Sequence, residues 1–441
     1  MRTFDKGIDE LFKLYKSNEI STEELTLSYL EQIEKMDNEL KAYITIDNEG
    51  AINKAKEIDK KKASGAKLGV LAGIPMIVSD DISTKGIRTT LNSKMMDNYA
   101  PPFNATIIEK LYKEDAVLLG KSNIKEFGVG ETNNPWGAAT AIENNEAIFG
   151  IVSDTSGEVR QSAVTHNLYG LKPTYGAVSR FGLIGSSPSF EQIGIITKEI
   201  EDLPKVFQVI NGKDSKDSTS LDSQVDEFTN NLNGSLEGIK IALPKEYYKN
   251  DIISESIKKM KELGANVEYI SIPSLEYALQ VYEIISSGEF SSNMGKFDGI
   301  AFGYRASDYN NVDELYSKSR AESLGEDVKK KIIFGSFVLS SNQYKDYYEK
   351  SQRIRGLICK ELKDIFNKYD VILTPVINNE SDIESDLYTV SANISGLPAL
   401  SMPNIDNNNI GIQLIGPAFS ESVLFAIGSI FAKEKKNGGV K

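Results

Sequence analysis

Residues 238–272 carry the pattern that most restricts the fold. GIKIALP (238–244) is a short apolar run typical of a strand. A helical pattern covers 253–263, and Gly264 separates it from a second strand-like run, ANVEYISI (265–272). A strand, a helix and a strand joined by short links form a parallel crossover unit. The chain is therefore predicted to contain parallel β-structure that is covered by helices.

Other segments extend this alternation of strands and helices. Short apolar runs predict further strands at 69–82, 116–120, 369–375 and 411–416. Helical patterns are predicted for the first 46 residues and for 47–68, 105–114, 326–368 and 420–434. The run AVLLG at 116–120 is uniformly apolar, as in a parallel strand buried on both faces. The predicted fold is α/β, a large mixed β-sheet covered by helices on both faces.

Two residues near the start of the chain predict a helix boundary. Ser21 and Glu24 form the capping-box pattern S-x-x-E, directly before an apolar stretch with helical spacing. Asn104 is a candidate cap for the helix at 105–114. Ser and Asn both supply a side-chain oxygen that the first backbone N–H groups of a helix need.

Composition changes at Gly69, where Lys- and Glu-rich sequence gives way to apolar and Gly-rich sequence. We therefore expect an N-terminal helical region at 1–68, packed on the core formed by 69–441, within one large domain overall. The polar segment 213–233 is predicted to be an exposed connection.

The chain has one His and one Cys in 441 residues, which excludes several kinds of site. Zinc sites built from several His and Cys ligands and intramolecular disulfides are excluded. A Ser-His-Asp or Cys-His arrangement would have to use His166. His166 and Cys359 are expected to be packing residues, as is Trp136. No metal and no cofactor is expected.

The net charge of −13 limits the partners of the chain. Phosphate contacts need concentrated positive charge, so autonomous binding of nucleic acid is not expected. The N-terminal sequence lacks the apolar core of a signal peptide, and no run of about 18 apolar residues predicts a spanning helix. A cytoplasmic protein without a membrane segment is expected, and one free Cys fits a reducing compartment.

Several strings together carry a resemblance to a known family. They are LAGIPMIVSDDISTKGIRTT (71–90), AVLLGKSNIKEFGVG (116–130), SDTSGEVRQSA (153–163) and GLKPTYGAVSRFGLIG (170–185). These strings resemble the amidase signature family. Four others are similar to its branch of glutamyl-tRNA amidotransferase A subunits: KDSTS (216–220), IALPKEYY (241–248), FDGIAFGYRA (297–306) and SGLPALSMP (395–403). The resemblance covers nearly the whole chain in order.

The resemblance implies a defined activity and defined partners. The A subunits of this branch hydrolyse the amide of glutamine and pass ammonia to a B subunit, which amidates Glu or Asp mischarged on tRNA. A small C subunit clamps the two together. The partners implied are thus proteins like the B and C subunits and glutamine, with tRNA only indirectly. Hydrolysis in the family uses a Ser nucleophile, a bridging Ser and a Lys base, with backbone N–H groups that stabilise the oxyanion.

The residues that this mechanism needs are replaced in the present chain. By motif match, the position of the Lys is Ser79 and that of the nucleophile is Glu158. The segment after Trp136, which carries the bridging Ser in the family, is shortened and contains no Ser. The oxyanion turn corresponds to Thr155, Ser156 and Gly157, and an anionic Glu158 beside it would compete for the same N–H groups. We therefore expect no intact catalytic set.

The outer pocket of the family is better preserved. The residues that grip a free amino acid correspond to Tyr282, Asp386 and, in place of an Arg, Lys331. A Lys keeps the charge but loses the bidentate recognition of a carboxylate. Binding of glutamine is thus possible but expected to be weaker. Alternatively, Tyr282 and Asp386 only satisfy buried hydrogen bonds. Asp154 and Arg160 are interpreted as support for the turn.

Three functions follow from these observations. The first is a catalytically degenerate homologue of the A subunit that serves as a structural or regulatory component of an amidotransferase-like complex. The second is an active amidase or glutaminase with altered chemistry based on Glu158, which supplies ammonia for transamidation of Glu-tRNA. The third is a sensor that binds an amino acid through Tyr282, Lys331 and Asp386.

Overall fold

The structure is a computed structural model that describes residues 3–130, 132–222, 234–248, 253–377, 382–405 and 410–438. Most of the connection predicted at 213–233 lies outside the described residues, because 223–233 is not among them. Short 3-10 turns occur at Lys94–Met96, Glu126–Gly128, Lys245–Tyr247 and Pro273–Tyr277, and a π-turn at Lys345–Glu349.

One mixed sheet of eleven strands organises the described residues. Its strands are β1 (Tyr43–Ile46), β2 (Pro75–Ser79), β3 (Val117–Ser122), β4 (Phe149–Asp154), β5 (Tyr169–Lys172), β6 (Gln192–Thr197), β7 (Lys240–Pro244), β8 (Asn266–Ile270), β9 (Val371–Ile377), β10 (Ala399–Pro403) and β11 (Ile410–Ile415). They lie in the order β1-β3-β2-β4-β6-β5-β10-β11-β9-β7-β8. β2, β3 and β4 form one parallel part and β7, β8 and β9 another, with antiparallel strands between them.

The helices surround this sheet. They are α1 (Ile8–Lys16), α2 (Thr22–Leu40), α3 (Asn48–Ala63), α4 (Thr106–Lys113), α5 (Gly137–Glu143), α6 (Glu158–Thr165), α7 (Asp202–Ile210), α8 (Ser254–Glu262), α9 (Ala278–Met294), α10 (Val312–Ser323), α11 (Glu326–Leu339), α12 (Lys350–Ile365), α13 (Asp382–Ser395) and α14 (Glu421–Gly438).

Alternate residues of one strand show that both faces of the sheet are covered. In β9, Val371 and Leu373 belong to one apolar core, whereas Ile372 between them belongs to another. Successive side chains of a strand point to opposite faces, so the two cores lie on opposite sides of the sheet. The predicted α/β fold with a large mixed sheet and helices on both faces is confirmed.

The crossover unit predicted from 238–272 is also confirmed. β7 and β8 pair in parallel, from Lys240 opposite Asn266 to Pro244 opposite Ile270, and α8 connects them. Gly264 has a φ of +101°, a conformation that side chains other than glycine rarely adopt. It therefore ends the helix and turns the chain into β8.

The predicted capping box is present at the start of α2. Ser21 Oγ accepts a hydrogen bond from the Glu24 backbone N–H at 3.1 Å, and Glu24 Oε2 accepts one from the Ser21 N–H at 2.8 Å. The cap predicted at Asn104 is wrong. Ala105 stands at the N-cap of α4 without a side-chain hydrogen bond, while Asn104 Oδ1 accepts from the Lys85 N–H at 2.8 Å.

The helical prediction for the first 46 residues is wrong at its end. Lys41 has a φ of +54° and ends α2, and Tyr43–Ile46 forms an edge strand antiparallel to β3. A four-residue strand is defined by its partner, which local sequence does not reveal. The boundary at residue 68 stays a prediction; Leu25 and Tyr29 of α2 belong to the same apolar core as strands β2 and β3.

Candidate functional site

A cavity of about 600 Å³ opens at the edge of the sheet where three parallel strands end. β2, β3 and β4 run in the same direction, so their carboxyl ends meet at this edge. The residues that follow or end these strands line one wall, and they include Asp81, Ser122, Ser153, Thr155 and Ser156. α9, α11 and α13 supply Tyr282, Lys331 and Asp386 to the other wall.

Glu158 bends its own side chain onto the turn that precedes α6. Its Oε2 accepts hydrogen bonds from the backbone N–H groups of Thr155 at 2.7 Å, Ser156 at 2.9 Å and Gly157 at 3.1 Å. Burial and the charge of Asp154 raise the pKa of the Glu158 carboxyl, and these N–H groups oppose the rise. The carboxylate thus occupies the position at which the three donors converge.

The local geometry explains why the turn can present three N–H groups. Gly157 has a φ of +137°, and a Cβ there would overlap the Thr389 side chain. Thr389 Oγ1 in turn donates to the carbonyl of Ser156. The backbone is therefore fixed by a glycine and by α13, and successive N–H groups face one point at the start of a helix.

Asp386 lies against the same turn. Its Oδ1 accepts from Gln161 Nε2 at 2.9 Å and from Ser156 Oγ at 3.1 Å. Burial, and then the charge of Glu158, raise the pKa of Asp386 to about 7. Two carboxyl groups thus lie close together on the floor of the cavity, because Ser156 Oγ is also 3.5 Å from Glu158 Oε1.

Tyr282 and Lys331 complete the group of predicted pocket residues. Tyr282 is buried beside Phe190, with ring centroids 5.5 Å apart, and burial raises its pKa. Lys331 Nζ lies 5.7 Å from the Tyr282 ring centroid and 3.7 Å from Glu283 Oε2. The structure therefore brings Tyr282, Lys331, Asp386 and the turn before α6 around one cavity.

Ser79 is separated from this group. It ends β2, is fully buried, and is not among the described residues that line the cavity. Nearby Lys121 is buried as well, and its ammonium group donates to the carbonyl of Ile82 and, at 3.2 Å, to Thr84 Oγ1. Burial lowers the pKa of Lys121 to about 8, but Lys121 does not line the described cavity either.

Asp154 and Arg160 form a buried ion pair next to the turn. Both are fully buried, and Arg160 donates to the two carboxylate oxygens of Asp154 at 3.0 and 3.2 Å. Arg160 Nη1 also donates to the Thr389 carbonyl at 2.8 Å and to Gln413 Oε1 at 2.9 Å. Although burial opposes it, the Arg160 charge keeps the pKa of Asp154 below its usual value.

His166 and Cys359 lie outside the described lining of the cavity. His166 ends α6, where its Nδ1 donates to the Ser162 carbonyl at 2.9 Å and its Nε2 is 3.1 Å from Thr140 Oγ1. Cys359 is half-buried in α12. Trp136 does line the cavity, and its ring packs against that of His166 with centroids 6.0 Å apart.

Sequence reasoning missed Asp81, Ser122, Ser153, Gln161 and Ser287, all of which line the cavity. Ser153 donates to one carboxylate oxygen of Asp81, and the other oxygen has no hydrogen-bond partner among the described residues. The available signal for Asp81 and Ser122 was their place at or just after the ends of predicted strands, which meet at one edge of a parallel sheet. No strand is predicted before Ser153. No comparable signal marks Ser287 in the middle of α9.

Metal binding and membrane insertion find no support within the described ranges. No group of three His, Cys, Asp or Glu side chains there is arranged to hold a metal ion. None of the described helices combines the length and apolar character needed to cross a bilayer.

Known proteins resemble this chain over nearly its whole length. The Amidase family model matches residues 24–425. The glutamyl-tRNA(Gln) amidotransferase A subunit of Fusobacterium nucleatum is 39% identical, with 97% of this chain and 96% of the relative aligned. The A subunit of the same enzyme from Thermoanaerobacter pseudethanolicus is 40% identical, with 99% of this chain and 98% of the relative aligned.

Solved structures agree in fold. The crystal structure of the glutamyl-tRNA(Gln) amidotransferase A subunit from Thermotoga maritima aligns with a TM-score of 0.77 at 30% identity, over 97% of this chain and 94% of the other. The native peptide amidase from Stenotrophomonas maltophilia aligns with a TM-score of 0.83 at 23% identity, over 98% and 97%, which shows a shared fold alone. The chain belongs to the amidase signature family and lies close to the A subunits of glutamyl-tRNA(Gln) amidotransferases within it.

Proposed function

We propose that this chain is a catalytically degenerate homologue of the amidotransferase A subunit. It keeps the fold and a ligand cavity but does not hydrolyse glutamine, and it acts as a structural or regulatory component of a tRNA-dependent amidotransferase-like complex. Its partners are then proteins like the B and C subunits, with tRNA bound only through them.

The observation that carries this proposal is the position of the Glu158 carboxylate. Amide hydrolysis passes through a tetrahedral oxyanion that needs unoccupied N–H donors. Here Glu158 Oε2 already accepts from three consecutive backbone N–H groups, at 2.7, 2.9 and 3.1 Å. A carboxylate holds such donors through charge-assisted hydrogen bonds, so a developing oxyanion would have to displace an anion from its own site.

The lack of a suitable base supports the same conclusion. A Ser nucleophile without His requires an amine of depressed pKa within hydrogen-bond distance. Ser79 provides no amine, and Lys121 donates elsewhere. Ser153 does donate to Asp81, but this direct contact lacks the imidazole that carries the proton in a Ser-His-Asp set.

The preserved fold supports a role in an assembly. The relatives from Fusobacterium nucleatum and Thermoanaerobacter pseudethanolicus are components of an amidotransferase and match this chain almost end to end. The continuous sheet and the apolar cores on its two faces are present, whereas the positions that correspond to the base and the nucleophile hold Ser79 and Glu158. Selective loss of these two groups is what a binding role would tolerate and a glutaminase would not.

A second candidate is an enzyme with altered chemistry based on Glu158. The raised pKa of Glu158, caused by burial and by the charge of Asp154, favours a role in proton transfer. Its Oε2 is engaged by the backbone N–H groups of the turn, which leaves Oε1, the oxygen nearer the Ser156 hydroxyl, for such a role. This function predicts a substrate-dependent activity that is lost in Glu158→Gln.

Release of ammonia from glutamine tests the proposal. The purified chain would be assayed alone and with the B and C subunits of an amidotransferase, beside the Thermotoga maritima A subunit as the active control. We expect release at least about 10³-fold slower than that of the control, since losing a catalytic set usually removes that much or more. Turnover comparable to the control, abolished by Glu158→Ala, would contradict the proposal.

Purification from the native source tests the partner assignment. We expect a tagged chain to bring down proteins like the B and C subunits in stoichiometric amounts. Recovery of the chain as an isolated protein, under conditions that preserve an intact amidotransferase, would count against the role in a complex.

A further inference from the structure

The floor of the cavity holds two carboxylates that share a neutral donor. Ser156 Oγ lies 3.1 Å from Asp386 Oδ1 and 3.5 Å from Glu158 Oε1. A hydroxyl has one proton, so it can satisfy only one of the two at a time. Among the described residues, neither Glu158 nor Asp386 forms an ion pair with a Lys, Arg or His. Their charges are therefore balanced only by amide and hydroxyl groups.

The basic residues at the cavity are fewer, and the two on α11 are paired with carboxylates. The described lining includes six carboxylates and three lysines, namely Asp81, Glu158, Glu191, Glu283, Asp327 and Asp386 against Lys125, Lys330 and Lys331. Lys330 Nζ lies 3.0 Å from Glu326 and 3.2 Å from Asp327, and Lys331 Nζ lies 3.7 Å from Glu283. The cavity is thus acidic at its floor, and the two lysines of α11 already have anionic partners.

Two buried hydroxyls provide an independent indication of a ligand. Ser122 and Ser287 are each only 1% exposed and line the cavity, and neither Oγ has a hydrogen-bond partner among the described residues. A buried polar atom without a partner is unfavourable, because it has given up its hydrogen bonds to water without gaining others. When such atoms lie on the wall of a cavity, a polar ligand in that cavity can supply the missing hydrogen bonds.

Apolar side chains form a further part of the wall. They are Leu91, Phe127, Val129, Trp136, Ile184 and Phe334. At about 600 Å³ the cavity has the volume of a small-molecule site. An aliphatic body can therefore lie against these side chains while a charged end reaches the floor.

We propose that this cavity binds an organic cation, a primary ammonium on a neutral aliphatic body, in preference to an amino acid. The ammonium group donates to Asp386 and Glu158, and the polar remainder reaches the unpartnered hydroxyls. A ligand carboxylate is disfavoured, since Lys331 is already paired and the floor is anionic. The inference rests on the binding role proposed above and names the ligand class of that site.

A matched series of three ligands tests the charge preference directly. Glutamine without its carboxylate is 4-aminobutanamide, a cation, and glutamine without its amino group is glutaramate, an anion. Calorimetric titration of the purified chain with each compound at pH 8, above the pKa of about 7 of Asp386, is expected to rank the cation first, then glutamine, then glutaramate. The step from glutamine to the cation should be about tenfold or more, the size of one charge-assisted hydrogen bond.

Two single substitutions test whether the preference for a cation arises from Asp386 in the cavity. Asp386→Asn keeps an acceptor for Ser156 and Gln161 but removes the charge, so it should weaken binding of 4-aminobutanamide about tenfold and leave binding of glutaramate unchanged or tighter. Asp327→Asn is the matched control, because Asp327 lines the same cavity but is paired with Lys330; its effect should stay below about twofold. If Asp386→Asn fails to fold, Glu158→Gln makes the same test.

The outcomes separate this inference from the proposed function. Binding of glutaramate or glutamine as tight as that of 4-aminobutanamide would overturn the charge preference. Absence of any heat at about 10 mM ligand, where even weak fragments bind, would overturn it as well. Ammonia release by the chain would contradict the non-hydrolytic role, and the ranking of the three charges would remain measurable by competition. Each statement can therefore fail without the other.

Discussion

Glu158 shows how one side chain changes what a turn can do. Three backbone N–H groups converge before α6, and Gly157, Thr389 and Arg160 hold that backbone in place. With Glu158 as the next residue, the donors bind an anion that belongs to the chain itself. The hydrogen bonds of the turn are thereby satisfied, and its three N–H groups are not free to bind a second anion.

The protonation of Asp386 makes the free energy of unfolding depend on pH. Burial, together with the Glu158 charge, raises its pKa to about 7, above the ordinary value of 3.8 that applies to the unfolded chain. The folded protein therefore binds a proton that the unfolded chain has released between these two values. Stability from this group is fully present below about pH 4 and is lost as the pH rises through 7.

Replacement of Asp386 should reveal this effect. We expect Asp386→Asn to be more stable than the native chain at pH 8 by roughly 1–4 kcal/mol, with the difference shrinking to near zero at about pH 4. Urea unfolding at several pH values measures it. Asp327→Asn, at a half-exposed carboxylate, should change the free energy of unfolding by less than about 0.5 kcal/mol. A difference for Asp386→Asn that grows toward low pH would contradict the assignment.

At the scale of elements, β4, the turn and α6 form one unit that depends on α13. Gly157 is in contact with Thr389 of α13, and Ser156 with Asp386 of the same helix. The helix thus closes over the turn and places an acidic side chain beside Glu158. Its position decides both the shape of the turn and the charge of the cavity.

Gly157→Ala should destabilise this unit. The alanine would have to adopt a φ of +137°, which is strained for any residue with a Cβ, and its Cβ would overlap the Thr389 side chain. We therefore expect the free energy of unfolding to fall by at least about 3 kcal/mol. Gly86→Ala is a matched control, because its φ is +76° and nothing lies within 4 Å of the added Cβ. It should lose only about 1 kcal/mol. Equal effects in the two variants, measured by urea unfolding, would show that contact with α13 is unimportant.

At the scale of the whole molecule, Arg160 connects parts that are far apart in the chain. It pairs with Asp154 at the end of β4, and it donates to Thr389 and Asn393 of α13 and to Gln413 of β11. These elements come from both halves of the sequence. The hydrogen bonds of this fully buried guanidinium therefore fix the positions of β4, α13 and β11 relative to one another.

Arg160→Leu should therefore be strongly destabilising. Removing one partner of a buried ion pair leaves Asp154 charged and unpaired, and we expect a loss of about 3–5 kcal/mol. Arg88→Leu serves as the control, since Arg88 pairs with Asp97 at the surface and should lose less than about 1 kcal/mol. Thermal and urea unfolding measure both. A loss of similar size in the two variants would contradict the role of Arg160 as a connector.

Much of the fold could be predicted because its signals are local. The apolar runs at 116–120 and 369–375 became β3 and β9, and Gly264 ended its helix as its freedom at positive φ suggests. The edge strand at Tyr43–Ile46 was missed, because it is stabilised by β3, far away in sequence. Asn104 has the side chain of a cap, but the fold uses it to accept from Lys85.

The sequence by itself determined the family, the single His and Cys, and the identity of Ser79 and Glu158, since side-chain chemistry is read directly from residue identity. Only the tertiary structure decided what these side chains contact. The Glu158 carboxylate lies on the three N–H groups, and Asp386, 230 residues from Ser156, lies beside it. Ser122 and Ser287 are also far apart in the chain, and the fold places both in the lining of one cavity. Contacts between distant residues follow from strand order and helix packing, which no local pattern encodes.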